Sequence, residues 1–275
     1  MAEACTGMGG MKGRTKGQWR GRAATVLLLL VSAWALPAWA SVPEIPRFRL
    51  MSVADGLPST TIPVLARDKA GFLWLATWDG VARYDGVNFR VWRHEPDDPA
   101  SLPGNVVQAL HIDEQDRVWV ATENGGLSMM GPDRRGFRHF RRAQYPEMGS
   151  DDIFTITSHG KEVWFGTFGG GLNRITADGR ILRFRPGADD ENLPSDNVLS
   201  IAFDQQGQMW VGTMSGLVRY DGKRTHAESL PAGEALIIYS LTPDGDSLWA
   251  GTSGGMFRWR KDSGWPTSIR RCHRA

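Results

Sequence analysis

Cysteine is nearly absent from these 275 residues: there are two, at 5 and 272. Once the first forty residues are set aside, Cys272 stands alone and an internal disulfide is excluded. Beyond that leader no run is apolar enough to cross a bilayer, so no membrane span is expected in the mature chain. Helical periodicity is missing throughout the same region. The six histidines, at 94, 111, 139, 159, 226 and 273, follow no metal-ligand spacing, and no metal site is expected. There is no G-x-S-x-G elbow, and Gly169-Gly170-Gly171 joins two expected strands where a phosphate cradle would open a helix. No catalytic residue and no cofactor is assigned on this reading.

The leader has a pattern of its own. Lys12, Arg14, Lys16, Arg20 and Arg22 precede the apolar run AATVLLLLVSAWAL, and Pro37 precedes the A-x-A site Ala38-Trp39-Ala40. That order is the one a secretory signal peptide needs, so residues 1–40 are read as a signal cleaved after Ala40 and the product as periplasmic. An uncleaved anchor is the alternative, against which Pro37 and the A-x-A site speak. The segment carries five of the 32 Lys/Arg and one of the 30 Asp/Glu, leaving a mature chain with a net charge of about −2. The alkaline balance belongs to the leader, and no nucleic-acid partner is expected.

Tryptophan, by contrast, is plentiful: twelve residues, five of them at 74, 119, 164, 210 and 249 in near-identical surroundings. The phrases are WLATWDGVARY, WVATENGGLSM, WFGTFGGGLNR, WVGTMSGLVRY and WAGTSGGMFRW. Leu57-Pro58, Leu102-Pro103 and Leu193-Pro194 each place Leu seventeen residues before its tryptophan, and Asp68, Asp113 and Asp204 lie six before. Agreement at several offsets marks a genuine repeat of about 45 residues. Inside one unit, short apolar runs such as VVQALHID, RVWVAT, LSMM and GFRHF are separated by polar or glycine turns, which gives four strands. Four-stranded units at this period are β-propeller blades, so the chain is expected to be all-β with about five blades over residues 41–260.

The shared letters read as structure. Each repeat tryptophan is a wedge between blades, worth roughly 150–250 Å² of burial. The small residue two places on (Ala76, Ala121, Gly166, Gly212, Gly251) lets the neighbouring sheet approach. The threonine hydroxyl can bond a turn backbone, and the glycines supply positive φ for tight hairpins. Asp-Gly pairs at 55, 79, 85, 178, 221 and 244 read as turns for the same reason. The stretch RFRL at 47–50 precedes Leu57-Pro58 as FRVW and FRHF precede later repeats, and so reads as the outermost strand of a blade whose other strands lie elsewhere. Residues 261–275 carry no repeat signature and are expected to be a disordered or aberrant tail. A seven-bladed ring needs about 315 residues at this period. The expectation is therefore an incomplete part of a seven-bladed propeller, a true five-bladed ring being the alternative.

GLPSTTIPVLARDKAGFLWLATWDGVARYDG and LPSDNVLSIAFDQQGQMWVGTMSGLVRYDG resemble the two-component regulator propeller repeat, over residues 47 to about 260. The third repeat departs from it, with Met148-Gly149-Ser150 replacing Leu-Pro and Ser158-His159-Gly160-Lys161 shortening a turn; the fifth is shorter still. The resemblance implies the periplasmic sensor part of an inner-membrane receptor, which an immunoglobulin-like module, one transmembrane helix and a histidine kinase or diguanylate cyclase would follow. None of those later parts is in this sequence, so the chain is expected to be an input domain without catalysis of its own. It also implies a small-molecule or oligosaccharide ligand and self-association as a receptor dimer.

What the copies do not share points to a site. The residue four places after each repeat tryptophan is Trp78, Glu123, Phe168, Met214 or Ser253, with Asp79 beside the first. Equivalent turns of a propeller emerge on one face, so these side chains are expected to form a ligand-facing arc at one mouth. The bland reading is that exposed turns drift. Two other functions stay open: a secreted propeller hydrolase or lyase acting on glycans, and a scaffold that docks another protein. The enzyme reading would need a pair of convergent groups; Glu123 and Asp79 are the acids near the arc, and neither has an evident partner in the sequence.

Overall fold

Each unit folds as a meander because its apolar residues alternate with polar ones over four to seven residues, and its breaks fall at Asp-Gly and Gly-Gly turns. The computed structural model describes residues 48–186, 193–222, 225–231 and 235–265. Residues 1–40, expected to be a signal, lie outside them, as do Arg47, Cys272 and His273. Among the described residues there are nineteen strands in five antiparallel sheets. The first sheet runs β1 (Val64–Arg67), β2 (Leu73–Thr77), β3 (Gly80–Tyr84) and β4 (Phe89–Trp92). The second is β5 (Val107–Ile112), β6 (Val118–Thr122), β7 (Gly126–Met130) and β8 (Phe137–Phe140). The third is β9 (Ile153–His159), β10 (Glu162–Thr167), β11 (Leu172–Ile175) and β12 (Ile181–Phe184). The fourth is β13 (Val198–Phe203), β14 (Met209–Thr213), β15 (Gly216–Tyr220) and β16 (Thr225–Glu228). The fifth has three strands, β17 (Ile238–Asp244), β18 (Ser247–Thr252) and β19 (Gly255–Arg260).

These sheets are blades. Their first strands touch in the order β1, β5, β9, β13, β17, and no comparable contact joins β17 to β1 among the described residues. The blades therefore form an open arc. Cores lie between blades, and each is built around one tryptophan seated in the blade that follows. Trp74 packs with Leu110, Val118, Met130 and Phe137 of the second blade. Trp119 packs with Ile156, Val163 and Phe165 of the third, and Trp164 with Ile201, Met209 and Val211 of the fourth. Trp210 packs with Ile238, Leu248 and Phe257 of the fifth. Trp249, with no following blade among the described residues, is only half-buried.

Close packing explains the small residue two places on. A Cβ added to Gly166 would lie 2.5 Å from Val198 Cγ1 of the next blade, and one added to Gly212 would lie 2.6 Å from Ile238 Cγ2. In the loops, Leu102 and Leu193 are buried with the tryptophan of the preceding blade, and Met148 fills the same role in the third repeat where the Leu-Pro motif is lost. An unbranched thioether adapts to that space.

Three sequence expectations need correction. Phe48, Arg49 and Leu50 belong to no strand, and Phe48 and Leu50 are almost fully exposed. A strand exists only through the ladder it shares, and no ladder among the described residues includes them. The segment from Lys261 does not begin as a loose tail. The Arg260 N–H bonds the Gly264 carbonyl and the Lys261 N–H bonds that of Asp246, while Trp265 stands edge-on to Trp210 at 6.5 Å. Asp55-Gly56 ends a short 3₁₀ turn at Val53–Asp55, where a hairpin was expected.

Candidate functional site

Chain direction sorts the turns. First-to-second and third-to-fourth strand turns lie at one end of every blade; second-to-third turns and inter-blade loops lie at the other. The repeat threonine ends the second strand and fixes the turn that follows. Thr77, Thr167, Thr213 and Thr252 each donate the hydroxyl to the carbonyl of the glycine that closes the turn, at 2.8–2.9 Å. Thr122 differs: its Oγ1 is buried without a partner, and the Gly125 N–H bonds the Thr122 carbonyl. In this blade the main chain closes the turn and Asn124 takes the positive φ.

On that frame sit the five variable residues. Each donates its backbone N–H to the carbonyl of the loop just before its own blade: Trp78 to Thr61, Glu123 to Val106, Phe168 to Asp152, Met214 to Asn197 and Ser253 to Ile237. Their backbone positions are thus equivalent, and all five side chains are exposed, Trp78 by 58% and Phe168 by 46%. The arc is open rather than pocketed. Phe168 meets Phe154 of the same blade, ring centroids 6.1 Å apart, and Phe154 is itself exposed. Asp79, which had no evident partner in the sequence, is held by Arg93 at 3.0 Å. Clefts at this end lie beside the turns: one of about 310 Å³ between His94, Pro99 and His139, another of about 250 Å³ around Ser229 and Leu236.

The opposite end carries residues whose spacing was visible but whose role was not. Asp68 accepts the indole N–H of Trp74 at 2.8 Å, Asp113 that of Trp119 at 2.7 Å, and Asp204 that of Trp210 at 3.1 Å. The same carboxylates cap the first turn, Asp113 accepting from the N–H groups of Gln115 and Arg117. Burial raises the Asp113 pKa, but the bonds from Trp119 and Arg117 outweigh it and hold the group below its ordinary value. In the fifth blade Asp244 does the same for Trp249 from five residues away, at 3.2 Å, because the turn is one residue shorter. A fixed distance between an acid and an indole was the signal available in the sequence.

The histidines do structural work here. His111 reaches from the second blade to Ser158 of the third at 2.8 Å, and burial lowers its pKa. His139 contacts Ser128 and the Pro99 carbonyl, and His94 the Leu102 carbonyl. No group of three or more metal-ligating side chains occurs among the described residues.

With this geometry in hand, comparison with known proteins is specific. Residues 56–79, 101–124 and 192–215 match the family described as two component regulator propeller. Three of the five blades thus match the two component regulator propeller repeat. Each matched stretch runs from an inter-blade loop to a variable turn, in blades one, two and four. The unmatched third and fifth blades are those whose loops depart in length and letters. A histidine kinase of Formosa agariphila is 34% identical over 55 residues, 20% of this chain and 4% of that protein. The extracellular domain of a hybrid two component system from B. thetaiotaomicron superposes with a TM-score of 0.63 at 20% identity, covering 76% of this chain and 28% of that one. Virginiamycin B lyase of Staphylococcus aureus superposes at 0.58 with 16% identity, over 76% of this chain and 71% of the enzyme. Both superpositions establish the fold alone. The chain spans a small fraction of the signalling proteins it matches.

Proposed function

We propose that this propeller is the ligand-sensing input domain of a signal-transduction receptor, acting outside the cytoplasm in the periplasm and contributing no catalysis itself. One observation carries the reading: five side chains of different character stand exposed on five equivalent, hydrogen-bonded turns. A scaffold that repeats its frame and varies an outward position presents a surface whose chemistry that position helps to set. Trp78, Phe168 and Met214 offer flat or soft apolar area, and Glu123 offers a carboxylate. An extended polar ligand with apolar faces, such as an oligosaccharide, fits this open arc better than a compact metabolite. The likeness to extracellular domains of signalling systems supports the setting. The expected self-association as a receptor dimer belongs to the same proposal.

The test is a binding screen of neutral and acidic oligosaccharides against the purified protein, with product analysis of every mixture. Saturable binding without cleavage is expected. Replacing both Trp78 and Phe168 by alanine should weaken it about tenfold or more, as loss of aromatic anchors does. Turnover of any glycan would overturn the non-catalytic reading, and unchanged affinity in the double variant would remove the arc as the ligand surface.

A further inference from the structure

Blades one, two, four and five place an aspartate at the end of the first strand, where it accepts the indole N–H of the repeat tryptophan. Blade three does not. Thr157 lies opposite Trp164 as Ala202 lies opposite Trp210, so two residues further on His159 occupies the position of Asp204. His159 turns away from Trp164 and stacks on Phe203 of the fourth blade, ring centroids 4.6 Å apart and planes 14° from parallel. Trp164 is 3% exposed, yet its indole N–H has no acceptor among the described residues.

A cleft of about 380 Å³ opens at this point, between blades three and four and at the end opposite the variable turns. His159, Trp164, Arg174, Phe203, Gln208 and Tyr220 line it. The Arg174 guanidinium lies 5.1 Å from the Trp164 ring, and its Nε is buried without an acceptor, as are those of Arg83 and Arg258 in blades that keep the aspartate. In blade two the Asp113 carboxylate takes the Trp119 N–H at 2.7 Å and also the Nε–H of Arg117, which holds the strand position of Glu162 in blade three. Blade three keeps the indole donor and lacks the aspartate that takes it, while its guanidinium faces Glu162 at 3.5 Å.

We propose that this cleft binds a small molecule bearing one carboxylate, whose oxygens take the place that aspartate holds in the other four blades. The stacked His159–Phe203 pair supplies a flat wall for the body of the ligand. Two acids also line the cleft and each is paired, Glu162 with Arg174 at 3.5 Å and Asp221 with His226 at 2.9 Å. They leave room for a monoanion and disfavour a polyanion. The site is independent of the variable turns and stands or falls separately from them.

Benzoate is a suitable probe and benzamide its neutral counterpart. In the ¹⁵N-labelled protein the Trp164 indole resonance should move saturably with benzoate and stay in place with benzamide. His159→Asp restores the acid found in the other blades. It should shift the Trp164 resonance without any ligand and weaken the benzoate response at least tenfold. Arg174→Gln, which keeps the stem on the indole, should weaken it several-fold. The proposal is overturned if Trp164 does not respond, if benzamide acts equally, or if the indoles of Trp74, Trp119 and Trp210 move as much. An unchanged benzoate response in folded His159→Asp would overturn it too.

Discussion

Trp164 and Phe168 are four residues apart and should behave in opposite ways. Trp164→Ala removes the wedge between blades three and four and should cost about 3–5 kcal/mol, read from the urea midpoint. Phe168→Ala removes an exposed ring and should change stability by less than about 0.5 kcal/mol. Asp113 adds a pH signature. Its folded pKa is depressed, so its contribution is present above the ordinary value of 3.8 and fades as pH falls through the lower folded value. Asp113→Asn should therefore be less stable at neutral pH and show a flatter acid limb in unfolding measured from pH 7 downward. The tryptophans and the small residues were legible in the sequence because repetition fixes what the packing must keep constant, whereas Met148 read only as a departure from the repeat. The aspartate's purpose was harder to read. Its offset from the indole changes by one in the fifth blade, and only strand register aligns Asp244 and His159 with the others.

Between elements, the decisive quantity is how closely one blade's second strand meets the next blade's first. Gly212→Ala would press a methyl against Ile238 and force blades four and five apart, at a cost of about 1–3 kcal/mol. Gly251, at the same place in the fifth blade, would meet little besides the Ser240 side chain, a hydroxyl that can rotate. The two alanine variants, compared by thermal unfolding, should separate clearly, with Gly251→Ala the milder. Strands and turns were readable from alternation and from Asp-Gly pairs. RFRL was misread because its likeness to other outer strands was one of order along the chain, whereas a strand requires a bonded neighbour. The variable turns stand at equivalent exposed positions, and their open surface, as against a pocket, could not be read from the letters alone because it depends on how far the side chains lie from one another.

At the scale of the molecule, the arc has two unlike ends. Leu65 of β1 is 58% exposed, while its counterpart Leu110, covered by the preceding blade, is 5% exposed. Leu110→Ala should cost about 2–5 kcal/mol and Leu65→Ala far less, although the residues are equivalent in the repeat. Amide exchange should follow the same order. Protection in β6, β10 and β14, whose blades are flanked on both sides, should exceed that in β18 and β19 by about tenfold or more. Uniform protection would show that the arc opens as one unit. Because Trp74, Trp119, Trp164 and Trp210 each pack into the blade that follows in the same way, the joint between neighbours is written once and reused. Excising 45 residues between matching points of two repeats, such as Trp74 and Trp119, would set the Trp of blade one against Ile156 where Leu110 stood. Blade number is thus free to change by whole units without any interface being redesigned.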